Sequence, residues 1–206
     1  MRATVAALTL LACFPSSNFV WAGACEEKCR NADYLSATFY HAVKKNPPGN
    51  EIEFFRRGLS AGIPQPGGAA FNVPALRSFG GKLFLVVRGA DGNNGVWVNT
   101  FSGSAWSGWV GTGQTAGFTI NSPDLTVYAS KLFLAVVGTD NGMYLNRYTS
   151  FWWGWQALGG FLTDALCCSG SSQIRAGGTG GDNQCYRKTS GDGVTWSGWT
   201  VAPPCP

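Results

Sequence analysis

The tetrad Trp-x-Gly-Trp occurs three times, starting at Trp106, Trp152 and Trp196, in steps of 46 and 44 residues. What precedes it repeats too. The stretch 82–113, KLFLVVRGADGNNGVWVNTFSGSAWSGWVGTG, overlies 131–160, KLFLAVVGTDNGMYLNRYTSFWWGWQALGG. Both carry an apolar run from Lys-Leu-Phe-Leu, then Gly89 or Gly138 with Asp91 or Asp140. A Gly-aliphatic-aromatic-aliphatic-Asn segment follows, ending at Asn99 and Asn146. Self-similarity at a period of about 40–45 residues is the mark of β-propeller blades and comparable repeat units.

The local chemistry is that of strands and turns. Short runs rich in Val, Phe, Trp and Tyr are punctuated by Gly, Asp and Asn, and none has helical spacing. Each unit should hold four strands, in the second at 74–76, 82–88, 95–101 and 106–111. The linkers GGAAFNVPAL, TAGFTINSPDL and GGFLTDAL lead from one unit to the next. The expected units are about 29–72, 73–120, 121–162 and 163–206. In the first, TFYHAV (38–43) takes the place of KLFLVV, with Phe39 against Phe84, and Ile63 replaces the second Trp. In the fourth, SQIRAGGTGG replaces the apolar run, and Cys185 falls where Trp97 and Tyr144 fall. The expected fold is all-β: a small β-propeller of about four four-stranded blades.

Residues 1–24 read as an export signal, with Arg2, the apolar run Ala3 to Phe14, and small residues at Ala22 and Ala24. A lipoprotein site at Cys13 is the competing reading, and it would leave a signal of only 12 residues. No later stretch reaches the ~18 apolar residues of a membrane span. Charged residues are 13% of the chain, the net charge is +4, and no basic run exceeds two, which points away from nucleic acid and anionic membrane. A secreted, extracellular domain over 25–206 is expected.

Six cysteines remain after the signal: Cys25, Cys29, Cys167, Cys168, Cys185 and Cys205. An even number in an exported chain favours disulfides. A bridge from Cys167 or Cys168 to Cys185 would staple the poorly cored fourth unit. One from Cys205 to Cys25 or Cys29 would lock a closed ring, worth roughly 4–5 kcal/mol for a loop of ~175 residues. With His41 as the only histidine, no metal or other cofactor is indicated.

The pattern Pro-Ala-Leu, Leu-Phe-Leu-Val-Val-Arg-Gly-x-Asp-Gly and Trp-Ser-Gly-Trp resembles the blades of bacterial fucose-binding propeller lectins. It is similar, more loosely, to tachylectin and tectonin repeats. The resemblance is good over 73–160, partial over 161–200 and poor before 72. It implies shallow glycan sites near or between blades, fucosylated glycans among the ligands, and blades often more numerous than four. The end-to-end disulfide looks like the haemopexin arrangement. A sugar site needs aromatic faces for the ring and Asp, Asn or Arg for its hydroxyls. The repeated offerings are Trp97 with Asn99 and Asp91, and Tyr144 with Asn146 and Asp140. Arg88 and Arg147 add planar donors, and Trp153, where the tetrad elsewhere has Ser, adds an exposed ring. The six tetrad tryptophans, being in register, read as packing residues, and Asp91 and Asp140 also suit turns that cap their own backbone.

Two other classes compete with a lectin. One is a propeller that binds a protein partner. The other is a sialidase-like glycoside hydrolase, because Ser190-Gly191-Asp192-Gly193-Val194-Thr195-Trp196 looks like a shortened Asp-box. That box is a structural turn in sialidases. Hydrolysis also needs two positioned carboxylates, and no close acidic pair recurs here. A carbohydrate-binding protein, not an enzyme, is the preferred reading.

Overall fold

The structure is a computed structural model that describes residues 32–45, 49–58, 62–90, 94–113, 119–169 and 172–202, with the backbone alone at 32 and 166–169. The described residues form strands and no helix. The first sheet holds β1 (Ala32–Leu35), β2 (Thr38–Lys44) and β3 (Ile52–Arg56). The second holds β4 (Ala75–Phe79), β5 (Lys82–Arg88), β6 (Val96–Phe101) and β7 (Val110–Gly111). The third is β8 (Asp124–Tyr128), β9 (Lys131–Val137), β10 (Met143–Tyr148) and β11 (Trp152–Gly159). The fourth is β12 (Leu166–Ser169), β13 (Ile174–Thr179), β14 (Cys185–Ser190) and β15 (Thr200–Val201). Each sheet is an antiparallel meander in chain order. Their first strands pack in succession, β1 on β4, β4 on β8 and β8 on β12, so the sheets fan out like propeller blades.

Tight turns begin the first three blades. Ser36-Ala37, Gly80-Gly81 and Ala129-Ser130 all have positive φ at both positions, the geometry that suits a two-residue hairpin. The second strands of the second and third blades then divide their side chains between two neighbours. On β5, Leu83, Leu85 and Val87 join a cluster with Tyr40, Ala42 and Phe54 of the first blade. Phe84 and Val86 join another, with Leu132, Leu134 and Val136 of the third. Phe133, Ala135 and Val137 in turn meet Ile174 and Ala176 of the fourth. The tetrad tryptophans cover these same clusters in pairs: Trp106 and Trp109, Trp152 and Trp155, Trp196 and Trp199.

Main-chain bonds recur at each boundary. Ala70, Thr119 and Leu162 donate to Asn50, Asn94 and Asn141 of the blade just left. The next residues, Phe71, Ile120 and Thr163, donate to Arg88, Val137 and Thr179 of the blade being entered. Each linker is thereby bonded to both blades.

The first blade departs from the four-stranded expectation, having three strands among the described residues. Pro64 and Pro66 have no N–H to donate, and between them the Gln65 amide does a strand's work. Its Oε1 accepts from Phe54 N at 2.8 Å, and its Nε2 donates to Phe54 O at 3.0 Å. The register also moves the expected match by one. Leu35 pairs with Thr38 as Phe79 pairs with Lys82, so Tyr40, not Phe39, is the counterpart of Phe84. A one-residue shift exchanges faces. Tyr40 enters the core, while Phe39 lies on the other side with His41 and Phe55, whose rings stack at 4.8 Å.

The fourth blade needs two corrections. Cys185 pairs with Thr179 as Met143 pairs with Val137, so Tyr186, not Cys185, is the counterpart of Tyr144 and Trp97. Cys185 is in a disulfide. Cys167 and Cys168 pair with Ala176 and Arg175 on β13, two strands from Cys185. Two strand spacings are roughly 9–10 Å, beyond the ~7 Å Cα separation a disulfide spans, so the expected bridge to Cys185 does not form. Cys13, Cys25, Cys29, Cys205 and the signal reading at 1–24 lie outside the described residues.

Asn99 and Asn146, expected to meet ligand, are instead internal braces with no exposed surface. Asn146 Nδ2 donates to Thr112 O across the blade boundary at 2.9 Å, and its Oδ1 accepts from Gly154 N at 3.1 Å. Asn99 does the same with Pro66 O and Gly108 N. Asn146→Ala should cost about 1–3 kcal/mol, because the buried Thr112 carbonyl loses its partner and the Gly154 N–H loses its acceptor. Urea unfolding monitored by tryptophan fluorescence checks it.

Candidate functional site

At the end of the sheets where second strands turn into third strands, adjacent blades leave a notch. The one between the first and second blades has a volume of about 520 Å³ and is lined by Asn50, Gly68, Ala69, Gly89, Trp97 and Trp109, among others. The one between the third and fourth measures about 570 Å³, with Gly160, Phe161, Gly180, Asp182, Tyr186 and Trp199. By register these are the same place in two repeats: Trp97 corresponds to Tyr186 and Trp109 to Trp199. The second–third boundary offers Tyr144 and Trp155 at the equivalent positions. Its linker wall, 114–118, lies outside the described residues.

Glycine makes the walls. A Cβ on Gly68 would stand 2.8 Å from Trp109 Nε1, and one on Gly160 would stand 2.9 Å from Trp199 Cζ2. The indoles therefore lie directly on backbone, and their N–H groups hold them there. Trp109 donates to the carbonyls of Pro66 and Gly67, Trp199 to that of Leu158. On the other wall, a Cβ on Gly138 or Gly180 would be 2.8 or 2.7 Å from the ring of Tyr144 or Tyr186. All four rings are partly exposed.

An Asp–Tyr pair stands beside the notch in both the third and fourth blades. Tyr144 Oη donates to Asp140 Oδ2 at 2.7 Å, and Oδ1 accepts from Gly142 N at 2.9 Å. Tyr186 repeats this with Asp182 at 2.7 Å, and Gln184 N completes it at 3.0 Å. The tyrosine hydroxyl, then the backbone N–H, lower the pKa of Asp140 and of Asp182. Each tyrosine is raised, first by that hydrogen bond and then by burial and the adjacent negative charge. Both carboxylates are exposed and keep unused lone pairs toward solvent.

The remaining expected residues fall elsewhere. Asp91 lies outside the described residues. Arg88 is a strut: Nε and Nη2 donate to Asn94 Oδ1, Nη1 donates to Ile120 O at 2.5 Å, and its guanidinium lies 4.2 Å from the Phe71 ring. Arg147 and Trp153 sit together at the opposite end of the third blade, with the guanidinium 4.5 Å from the ring. Sequence reasoning missed Asp182, Tyr186 and Phe161, although GTDNGMY and GGDNQCY align without a gap. The Asp-box-like turn is structural. Asp192 Oδ1 accepts from Val194 N and Thr195 N at 2.8 Å and from the Ser190 hydroxyl, bonds that hold its pKa far down.

No protein-family model matches the chain, and no curated protein does. Among solved structures it is similar to the Bacteroides ovatus protein named Xyloglucan PUL GH43B, with a TM-score of 0.54 and 16% identity over 85% of this chain. The match spans 40% of that protein's length. At this identity the likeness shows an all-β, propeller-like fold.

Replacing Asp182 by Asn should bring the Tyr186 hydroxyl back down toward its ordinary pKa of about 10. The phenolate would then face a neutral amide instead of a carboxylate. Ring-carbon NMR titration of Tyr186 reads the shift, and an unmoved midpoint would contradict the pairing.

Proposed function

We propose that the protein is a secreted carbohydrate-binding protein whose glycan sites are the notches between adjacent blades. The observation that carries this is the recurrence of two partly exposed aromatic rings at matched positions of successive repeats. Packing alone accounts for one face of each ring, and the other is left to solvent. Stacking on the apolar side of a pyranose uses such a surface, and Asp140, Asp182 and Asn50 supply acceptors and donors for hydroxyls. The export signal read at 1–24 agrees with ligands outside the cell. The Bacteroides ovatus protein carries a polysaccharide in its name, which supports a glycan as ligand.

Binding is favoured over hydrolysis by the state of the carboxylates. A glycosidase acid must hold its proton near neutral pH, which requires a raised pKa. Asp140 and Asp182 are shifted the other way, and each is tied to a tyrosine. Fucosylated glycans are the first ligand class to examine, on the resemblance of the repeats to fucose-binding propeller lectins. A single shallow site is worth about −4 kcal/mol, or roughly millimolar affinity. Several notches meeting a dense glycan surface raise this by about 10²–10⁴.

On a glycan array, the purified chain should bind a saccharide subset and be displaced by the free sugar. Trp97→Ala and Tyr186→Ala should each weaken binding to the immobilised glycan by about tenfold or more, because avidity multiplies the loss of one site. Equal binding by the double variant would remove the notches from consideration. Because the two carboxylates lie below their ordinary values, they stay ionised as pH falls through about 4. Affinity should therefore be flat from neutrality to that point and decline only in stronger acid, as calorimetry across pH would reveal.

A further inference from the structure

The third blade carries a second surface that the notches do not explain. In the second and fourth blades, the tetrad's serine closes the blade: Ser107 Oγ accepts from Thr100 N at 3.1 Å, and Ser197 Oγ accepts from Thr189 N at 3.0 Å. The third blade has Trp153 in that position and Arg147 where the others have Thr100 and Thr189. Trp153 does no core work, being 55% exposed, yet it is held firmly. Its Nε1 donates to Thr149 Oγ1 at 3.1 Å, the Phe151 ring stacks on it at 5.1 Å, and the Arg147 guanidinium lies 4.5 Å from it. Phe151 is likewise 55% exposed.

Beside this cluster runs a groove of about 250 Å³, lined by Leu145, Arg147, Trp153, Trp155 and Gln156, among others, on one side and by Gly193 and Val194 of the fourth blade on the other. Gln156 Nε2 donates to Val194 O at 2.8 Å and fixes its width. No acidic side chain lines it. Asp192, next in the chain to Gly193, has its Oδ1 turned into its own loop. Among the described residues, the Arg147 guanidinium has neither an ion pair nor a hydrogen bond, so its planar donors remain unclaimed. Arg147 lies toward the end of β10 away from the Asp140 turn, roughly 14 Å along the strand from Met143.

The geometry points to a binding site for a carboxylate-bearing saccharide, such as a uronic acid residue, in this groove. The guanidinium pairs with the carboxylate in its fork geometry, and the outward aromatic surface of Phe151 and Trp153 takes the C–H face of the sugar. The assignment rests on Arg147, Phe151 and Trp153, none of which lines the notches described above.

The sister blades supply the variants. Trp153→Ser and Arg147→Thr restore the residues found at those positions in the second and fourth blades, and thermal unfolding shows whether each still folds. Calorimetric titration of the full chain with methyl glucuronoside and with methyl glucoside should show binding of the first in clear preference to the second. Arg147→Thr should weaken the uronoside by about tenfold, the worth of one charge-assisted hydrogen bond, and Trp153→Ser should weaken both ligands. Trp97→Ala and Tyr186→Ala should leave uronoside binding intact. The assignment is overturned if the two glycosides bind equally, if folded Arg147→Thr binds the uronoside as wild type does, or if wild type binds neither.

Discussion

The second strand of the second blade and that of the third are apolar on both sides, and the rest of the structure follows from that. A sheet with one apolar face can stand against water on the other; β5 and β9 cannot. Leu83, Leu85 and Val87 must meet one neighbour while Phe84 and Val86 meet another, and β9 continues the series in both directions. Burying each such side chain contributes about 1.5–3 kcal/mol, so a blade removed from its neighbours would lose more than a small domain's net stability. The repeat is therefore not an independent unit. Its boundaries are the cores.

The first and fourth blades look degenerate in the sequence because each meets a neighbouring described blade on one side of its second strand. On β13, Ile174 and Ala176 face the third blade and are apolar, whereas Arg175, Gly177 and Thr179 alternate with them on the other side. The run SQIRAGGTGG has not lost its hydrophobic character. It has lost it on one face, the one turned away from the third blade. A disulfide is not required to compensate for that, and Cys185 has no β12 cysteine in reach. On the first blade, the side turned away from the second carries Phe39, His41 and Phe55, and burial lowers the pKa of His41.

This division also marks how far the sequence could be read. The tetrads, glycine turns and linkers gave four sheets in the right order, because each depends on a few residues of fixed conformational meaning. Register was harder. Phe39 and Tyr40 are adjacent aromatics, and only the pairing of Leu35 with Thr38 decides which one faces the core. Cys185 and Tyr186 posed the same problem, resolved by the opposite partner, Thr179. Of the expected ligand residues, Trp97, Tyr144 and Asp140 sit at notches. Asn99 and Asn146 recur because the second and third blades each tie their tetrad turn to the preceding chain. Recurrence marks scaffold and site alike, and burial is what separates them. Gln65 gave no signal at all, since a side-chain amide standing in for a strand leaves no periodic trace.

Departures from the repeat are consequently more informative than the repeat itself. A position that varies among sister blades while the backbone stays superimposable has been released from the common fold. Trp97 against Tyr144 and Tyr186 is one such position, and there the tyrosines add a hydroxyl that binds Asp140 or Asp182. Trp153 is the stronger case. Its serine counterparts each close a hydrogen bond to the third strand, so its arrival removes a small stabilising contact and places a large exposed ring in its stead. The outermost strand absorbs the change by lengthening, with β11 running from Trp152 to Gly159 where β7 and β15 have two residues each. The longer strand pairs with β10 on either side of an irregularity at Arg147. The blade therefore stays closed while its rim acquires an indole, a phenyl ring and an uncommitted guanidinium, groups that the core does not need.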